Sequence, residues 1–193
     1  MTGRDRAPLA PRSLGSLVLA ALLTGCAGAP THGYYKGDGP GGPPPVNLDK
    51  LSDATPRVEP LNAGANAPYS ALGRKYVPYT SLKAYRARGV ATWYGRKFQG
   101  KRTASGERYD MYAMTAAHTV LPIPSYARVT NLANGKSVVV RINDRGPFHA
   151  ERLIDLSYAA AYKLGYVNAG SAKVEVEAIL PGKRAAAGER PPV

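Results

Sequence analysis

The second half of the chain alternates. Val138, Val140 and Ile142 share one side of a period-two pattern that runs on to Asp144, and Val174, Val176 and Ala178 alternate with Glu175 and Glu177. Both patterns predict half-buried strands, so the two glutamates read as solvated rather than catalytic. Leu153-Ile154-Asp155-Leu156 predicts a short strand, and Val90-Ala-Thr-Trp93-Tyr94 a β-rich start to the core. Residues 126–132 and 136–142 flank Asn134-Gly135, a pair that tolerates positive φ and so predicts a β-hairpin. A single helix interrupts the strands, with Ser157 as its N-cap, Tyr158, Ala161 and Tyr162 at i, i+3 and i+4, and Gly165 as its stop. Upstream, Tyr69, Tyr76, Val77, Tyr79, Leu82 and Tyr85 predict an ordered approach with one or two short strands that strap the core from outside.

The first 66 residues have a different character. Arg4, Arg6 and Arg12 precede an apolar run over residues 14–23, which is too short for the roughly 20 residues of a membrane-spanning helix and reads as a signal-peptide core. Leu23-Thr24-Gly25-Cys26 resembles the bacterial lipoprotein box, in which the cysteine is lipidated and becomes the mature amino terminus. Cys26 is the only cysteine, so an exported chain has no internal disulfide to form with it. Ala27 after it resembles the outer-membrane sorting signal. Residues 27–66 then carry seven Pro and seven Gly in 40 positions, which predicts a flexible tether spanning on the order of 35 Å.

Charge narrows the partners. The net charge is +13; removing residues 1–25, with three Arg and one Asp, leaves 23 basic and 12 acidic residues, a net of +11. An exported basic protein meets anionic lipid headgroups or a wall bearing lactyl and peptide carboxylates. The export signal and the lack of any helix-turn-helix or zinc-finger pattern argue against nucleic acid. His32, His118 and His149 lack metal-ligand spacing, so neither a metal nor a cofactor is expected.

The chemistry-bearing residues gather in three clusters: Thr103-Ala-Ser-Gly-Glu107-Arg-Tyr109-Asp110, Ala116-Ala-His118, and Arg141-Ile-Asn-Asp144-Arg145-Gly-Pro-Phe148. Gly146 and Pro147 cannot continue a central strand, which leaves Asp144 at the strand's mouth. If alternation holds that far, its carboxylate lies over the rim of the interior, partly desolvated and with a raised pKa. Taken singly, each residue has a plainer reading: Asp144 as an Asx-turn former, Glu107 as a solvated turn residue, His118 as a hydrogen-bonded structural histidine. Trp93 is either a sugar-stacking platform or a core anchor. Arg141 and Arg145 are either clamps for a substrate carboxylate or ion-pair partners of Asp144 or Asp110.

Six blocks taken together, over residues 89–164, resemble the rare lipoprotein A family. They are Gly89-Val-Ala-Thr-Trp93-Tyr94-Gly95; Phe98-x-Gly100 with Thr103-Ala-Ser-Gly106-Glu107-x-Tyr109-Asp110; Thr115-Ala-Ala-His118-x-x-Leu121-Pro122; Val129-Thr-Asn131-Leu-x-Asn134-Gly135; Asn143-Asp144-Arg145-Gly146-Pro147-Phe148; and Arg152-x-Ile154-Asp155-Leu156-Ser157. The resemblance implies a mainly β fold, a six-stranded double-psi β-barrel with one short helix, related to expansins and some endoglucanases. The implied division is a signal peptide over residues 1–25, the lipidated Cys26 and linker over 26–66, the barrel over 67–180 and a polar tail over 181–193. The glycan-binding repeat domain that many members carry after the barrel is not expected in the 13 residues 181–193.

The implied activity is lytic transglycosylation of peptidoglycan glycan strands, with Asp144, Glu107 and His118 as the catalytic residues. Asp144 would be general acid and then base, Glu107 would assist or hold charge, and His118 would orient a carboxylate or hydrogen-bond the sugar. Tyr94, Thr103, Tyr109 and Arg145 are assigned to substrate binding. The expected partners are peptide-poor glycan strands, a membrane reached through the amino-terminal lipid, and cell-division or wall-synthesis proteins; the expected site is the periplasmic face of the outer membrane. The rival reading is a non-catalytic, expansin-like module that binds or loosens the wall.

Overall fold

The computed structural model describes residues 38–44 and 47–182. The signal peptide, Cys26 and residues 183–193 lie outside the described residues.

The barrel strands are β3 (Arg86–Tyr94), β4 (Thr115–His118), β5 (Ser125–Asn131), β6 (Ser137–Asp144), β7 (Arg152–Ser157) and β8 (Ser171–Ile179). They follow β1 (Tyr69–Ala71) and β2 (Arg74–Tyr76), which form a separate two-stranded hairpin. The six close in the order β3-β7-β4-β6-β5-β8, with β3–β7 and β4–β6 parallel and the other four pairs antiparallel. Closure pairs every strand with a neighbour on each side over at least part of its length. Ala91, Ala116, Val129, Val140, Ile142, Ile154, Leu156, Val174 and Val176 are fully buried and fill the interior. Arg88, Arg128 and Lys173, on the opposite parity, are exposed. Glu175 takes the outward parity too and pairs with Arg86 and Arg88.

Helix α1 (Tyr158–Leu164) has the expected caps: Ser157 Oγ accepts from Ala160 N at 3.2 Å, and Gly165 adopts φ 77°. A left-handed C-cap is a place where glycine carries no Cβ penalty. The β5–β6 hairpin differs from a two-residue turn. Residues 132–136 separate the strands, and of the Asn-Gly pair Gly135 alone has positive φ. Asn134 is used through its side chain, whose Nδ2 donates to Leu164 O at 3.0 Å beside Asn131 Nδ2 at the same distance. The loop thus caps the helix's last carbonyl. Trp93 is a core anchor, 2 % exposed, with its ring against Tyr158 and its Nε1 donating to Val167 O.

Composition assigns residues 26–66 to a tether, and the described part of that stretch corrects the assignment. Strand β4 is four residues long and leaves the edge of β6 uncovered at Val139. Residues 53–54 cover it: Ala54 N donates to Val139 O at 3.0 Å, and Val139 N donates to Asp53 Oδ2 at 2.9 Å. Further along, the Asn66 side chain donates to Ile123 O and accepts from Ile123 N, both at 2.8 Å. Leu48, 3 % exposed, joins the core, and Lys163 Nζ ties to Leu51 O and Asp53. Few apolar side chains are needed, because a strap held by its backbone and by polar side chains leaves no amphipathic trace. The barrel itself begins at Arg86, later than the predicted boundary.

Candidate active site

Asp144 ends β6, but it does not continue the inward row of Val138, Val140 and Ile142. Ala116 of β4 pairs with Ile142, whereas Ala117 pairs with Asp144, so one residue of β6 is skipped. Successive residues of β4 face opposite sides, and the skip takes Asp144 onto the outer face with Ala117. The expected position over the interior's rim is thereby corrected. Gly146, at φ 129°, then turns the chain away, and Pro147 and Phe148 line the space beyond it. The result is a cleft whose lining includes Tyr94, Phe98, Phe148, Ala117, Asp144 and Asp155.

The Asp144 carboxylate is held by one oxygen. Oδ1 accepts from Ala104 N and Arg145 N, each at 2.8 Å, and Oδ2 has no protein hydrogen bond among the described residues. Burial raises its pKa above the ordinary carboxylate value, against the two backbone donors and the Arg145 charge, which pull it down. An oxygen left open on a carboxyl that holds its proton more tightly than usual is what a general acid requires.

Glu107 is the frame for that arrangement rather than a lining residue of the cleft. Arg141 Nη1 donates to both of its oxygens at 2.8 and 2.9 Å, and Asn143 Nδ2 donates at 3.0 Å. These bonds pin the 103–107 turn to β6, where Ser105 N also donates to Asn143 O and Ala104 N is aimed at Asp144. Thr103, 7 % exposed, serves the same turn: its Oγ1 bonds Ser105 Oγ and donates to Glu107 O. Arg141 pairs on its other side with Glu59, bidentately at 2.9 Å, so its partners are neither Asp144 nor Asp110. Those bonds hold the Glu59 carboxyl down to about 2.

His118 is 1 % exposed, and its ring reaches no carboxylate among the described residues. Its Nδ1 accepts from Val120 N and Leu121 N, so the ring proton sits on Nε2, facing Tyr85 OH at 3.2 Å. Burial, helped by the Arg145 charge, lowers its pKa to about 3. The unfolded chain therefore takes up this proton first, and the histidine's contribution to stability falls as pH drops from 6.5 towards 3. Nitrogen-resolved NMR of the folded protein should find the Nε2–H tautomer with no titration between about pH 5 and 8. A midpoint near 6.5 would contradict the burial.

Arg145 is committed within the protein. Its Nε donates to Ala65 O, its Nη1 to His118 O and Leu121 O, and its Nη2 to Asn66 Oδ1, at 2.6 to 3.0 Å. The clamp reading and the ion-pair reading are both replaced by a third, in which a half-buried guanidinium staples the 62–66 strap and the β4–β5 loop behind Asp144. Of the predicted substrate-binding tyrosines, Tyr94 lines the cleft, whereas Tyr109, 2 % exposed, stacks behind it at 4.1 Å and donates to Tyr94 O. Phe148 is backed by Tyr69 and Tyr76 of the small hairpin.

Asp155, Arg152, Phe98 and Phe148 were not singled out as site residues by the sequence reading. The signal for Asp155 was present: a carboxylate inside the apolar run Leu153-Ile154-Asp155-Leu156 is rarely buried without a partner. It is 9 % exposed, accepts from Thr92 Oγ1, and lies 3.6 Å from Arg152 Nη2, while Arg152 Nη1 donates to Thr92 Oγ1 at 3.0 Å. Among the described residues no group of three or more His, Cys, Asp or Glu side chains converges as a metal-binding set would.

A family model described as lytic transglycolase, of the double-psi β-barrel type, matches residues 86–176. A protein from Vibrio cholerae is 49 % identical over 167 residues, 86 % of this chain and 63 % of its own length. One from Pseudomonas aeruginosa is 48 % identical over 195 residues, 94 % of this chain and 57 % of its own. One from Neisseria meningitidis serogroup A is 55 % identical over 138 residues, 72 % of this chain and 58 % of its own. All three carry the name endolytic peptidoglycan transglycosylase RlpA. The chain spans about three-fifths of the length of these relatives. With a closed six-stranded barrel of this topology, the matched domain and these identities, the chain belongs to the rare lipoprotein A family.

Proposed function

We propose that the chain is an endolytic lytic transglycosylase that cleaves the bond between N-acetylmuramic acid and N-acetylglucosamine within peptidoglycan strands. The observation that carries the reading is Asp144: a half-buried carboxyl with one oxygen fixed by backbone donors and the other open to an aromatic-walled cleft. In this reading the Asp144 carboxyl gives its proton to the glycosidic oxygen as the bond to the muramic C1 breaks. The C6 hydroxyl of the same muramic residue attacks C1, and its proton passes to the Asp144 carboxylate. The acid is regenerated, no water enters, and the product is a 1,6-anhydro end. Tyr94, Phe98 and Phe148 supply flat apolar faces against which sugar rings can lie. The basic surface suits a substrate with lactyl and peptide carboxylates.

The test is mass analysis of strands incubated with the protein in oxygen-labelled water. Anhydro ends without label are the expected product. Labelled reducing ends would mean hydrolysis, and binding without cleavage would favour the expansin-like reading. In the cell the reading includes anchoring through a lipid on Cys26, at the periplasmic face of the outer membrane, near cell-division or wall-synthesis proteins. Cys26→Ser should release the protein from the membrane fraction, and a variant that stays bound would remove the anchor from the account.

A further inference from the structure

Four adjacent strands carry a row that crosses the floor of the cleft. Ala117 of β4 pairs with Asp144 of β6 on one side and with Asp155 of β7 on the other, and Asp155 pairs in turn with Thr92 of β3. Directly paired residues project from the same face, so the two carboxylates flank a methyl group. Two strand spacings put their Cα atoms about 9 to 10 Å apart. Both aspartates line the same cleft, and Glu107, whose oxygens are taken by Arg141 and Asn143, does not.

We propose that Asp155, and not Glu107, is the second carboxylate of the site, facing the muramic C1 across from Asp144 and stabilising the positive charge that develops there. The inference rests on the transglycosylase reading and adds a residue to it. The two aspartates are held differently. Among the described residues no cationic side chain is hydrogen-bonded to Asp144 and one of its oxygens is open, which suits the group that moves the proton. Asp155 is fixed by the Thr92 hydroxyl, and the Arg152 guanidinium bonds the same hydroxyl while facing the other carboxylate oxygen at 3.6 Å. Burial raises the Asp155 pKa against the Arg152 charge and the Thr92 hydrogen bond, and above its midpoint the fastened carboxylate holds its orientation through the reaction, as an electrostatic stabiliser must. The small side chain at Ala117 leaves the space between them for a sugar carbon.

The Asp144 charge raises the Asp155 pKa, and a coupling between two charges acts on both. Asp155 also faces Arg152, His149 and Thr92, and Tyr166 lies within reach of its charge. Asp144 faces Arg145, Tyr69, Tyr94 and Tyr109. Asp155→Asn removes the like charge and leaves the cations, so Asp144 should release its proton at lower pH. Carbon-detected NMR of the Asp144 carboxyl in the full chain should show a midpoint lower by on the order of one pH unit. Because Asp144 must be protonated to start the reaction, the alkaline limb of the pH–rate profile should move down with it. The kcat should fall about 100-fold with KM changed less than about threefold, as for loss of one preorganised charge stabiliser. Should Asp155→Asn fail to fold, Thr92→Val, which frees the carboxylate from its hydroxyl, should move kcat the same way by a smaller factor. Unchanged turnover and an unmoved midpoint, with an active wild type, overturn the Asp155 assignment alone. An inactive wild type overturns the transglycosylase reading and the assignment with it.

Discussion

Asp144→Asn should lower kcat by about 10²- to 10⁴-fold, the usual worth of a positioned acid and base, while the folded protein becomes no less stable at neutral pH. The amide oxygen can still accept from Ala104 N and Arg145 N, so the turn behind the residue survives. The sign of the stability effect follows from the pKa. In the folded state Asp144 titrates above the ordinary aspartate value of 3.8, because burial disfavours the charge. Between the unfolded and folded midpoints the folded state therefore holds the extra proton, and stability declines as pH rises through that window. Above it the ionised, buried carboxylate is a standing cost that asparagine removes. Thermal melts at pH 7 alongside turnover make the test. A variant that keeps turnover sinks the role of Asp144, and one that loses both turnover and stability points to a structural residue.

Arg145→Lys should cost about 3 kcal/mol, because several hydrogen bonds from a charged donor are lost or distorted at once and each is worth about 1.5 to 3 kcal/mol. In a domain of this size that corresponds to a Tm lower by on the order of 10 °C. The planar fork reaches four acceptors in different directions, namely Ala65 O, His118 O, Leu121 O and Asn66 Oδ1. A single ammonium on a flexible stem cannot occupy all four positions, so the substitution that conserves charge does not conserve the contacts. Turnover should fall as well, since the residue whose backbone N–H fixes Asp144 Oδ1 would lose its own anchorage. Urea unfolding of the two proteins decides the first part; a change below about 0.5 kcal/mol, the ordinary range for surface substitutions, would contradict it.

Local chemistry made much of the fold legible. Ser157 and Gly165 mark the helix to the residue, the alternation at Val174, Val176 and Ala178 marks the closing strand, and Gly146-Pro147 marks where β6 must stop. Asp144 could be found because the same turn chemistry that ends the strand exposes it. What stayed hidden depends on partners far apart in the chain. Alternation extrapolates Asp144 inward, and the skipped residue that reverses it is set by the pairing of β6 with β4, which no local pattern of β6 reports. Arg141 has no sequence neighbour to suggest Glu59, 82 residues away. Residues 47–66 read as linker because their attachment is made by backbone groups, asparagines and carboxylates, and proline- and glycine-rich composition says nothing about those. Asp155 looked like an ordinary member of a strand until Ala117 placed it beside Asp144.

The strap over residues 53–66 also separates two meanings of the word domain. The family model covers residues 86–176. Yet a fragment cut at residue 86 would forfeit Ala65 O and Asn66 Oδ1 as acceptors for Arg145, both bonds of Asn66 to Ile123, and the cover over Val139. Those losses fall on the wall behind the carboxylates, not on a remote surface. The segment that can be transplanted into a chimaera with its cleft intact is accordingly longer than the segment that the family model covers, and its upstream boundary lies before Asp53.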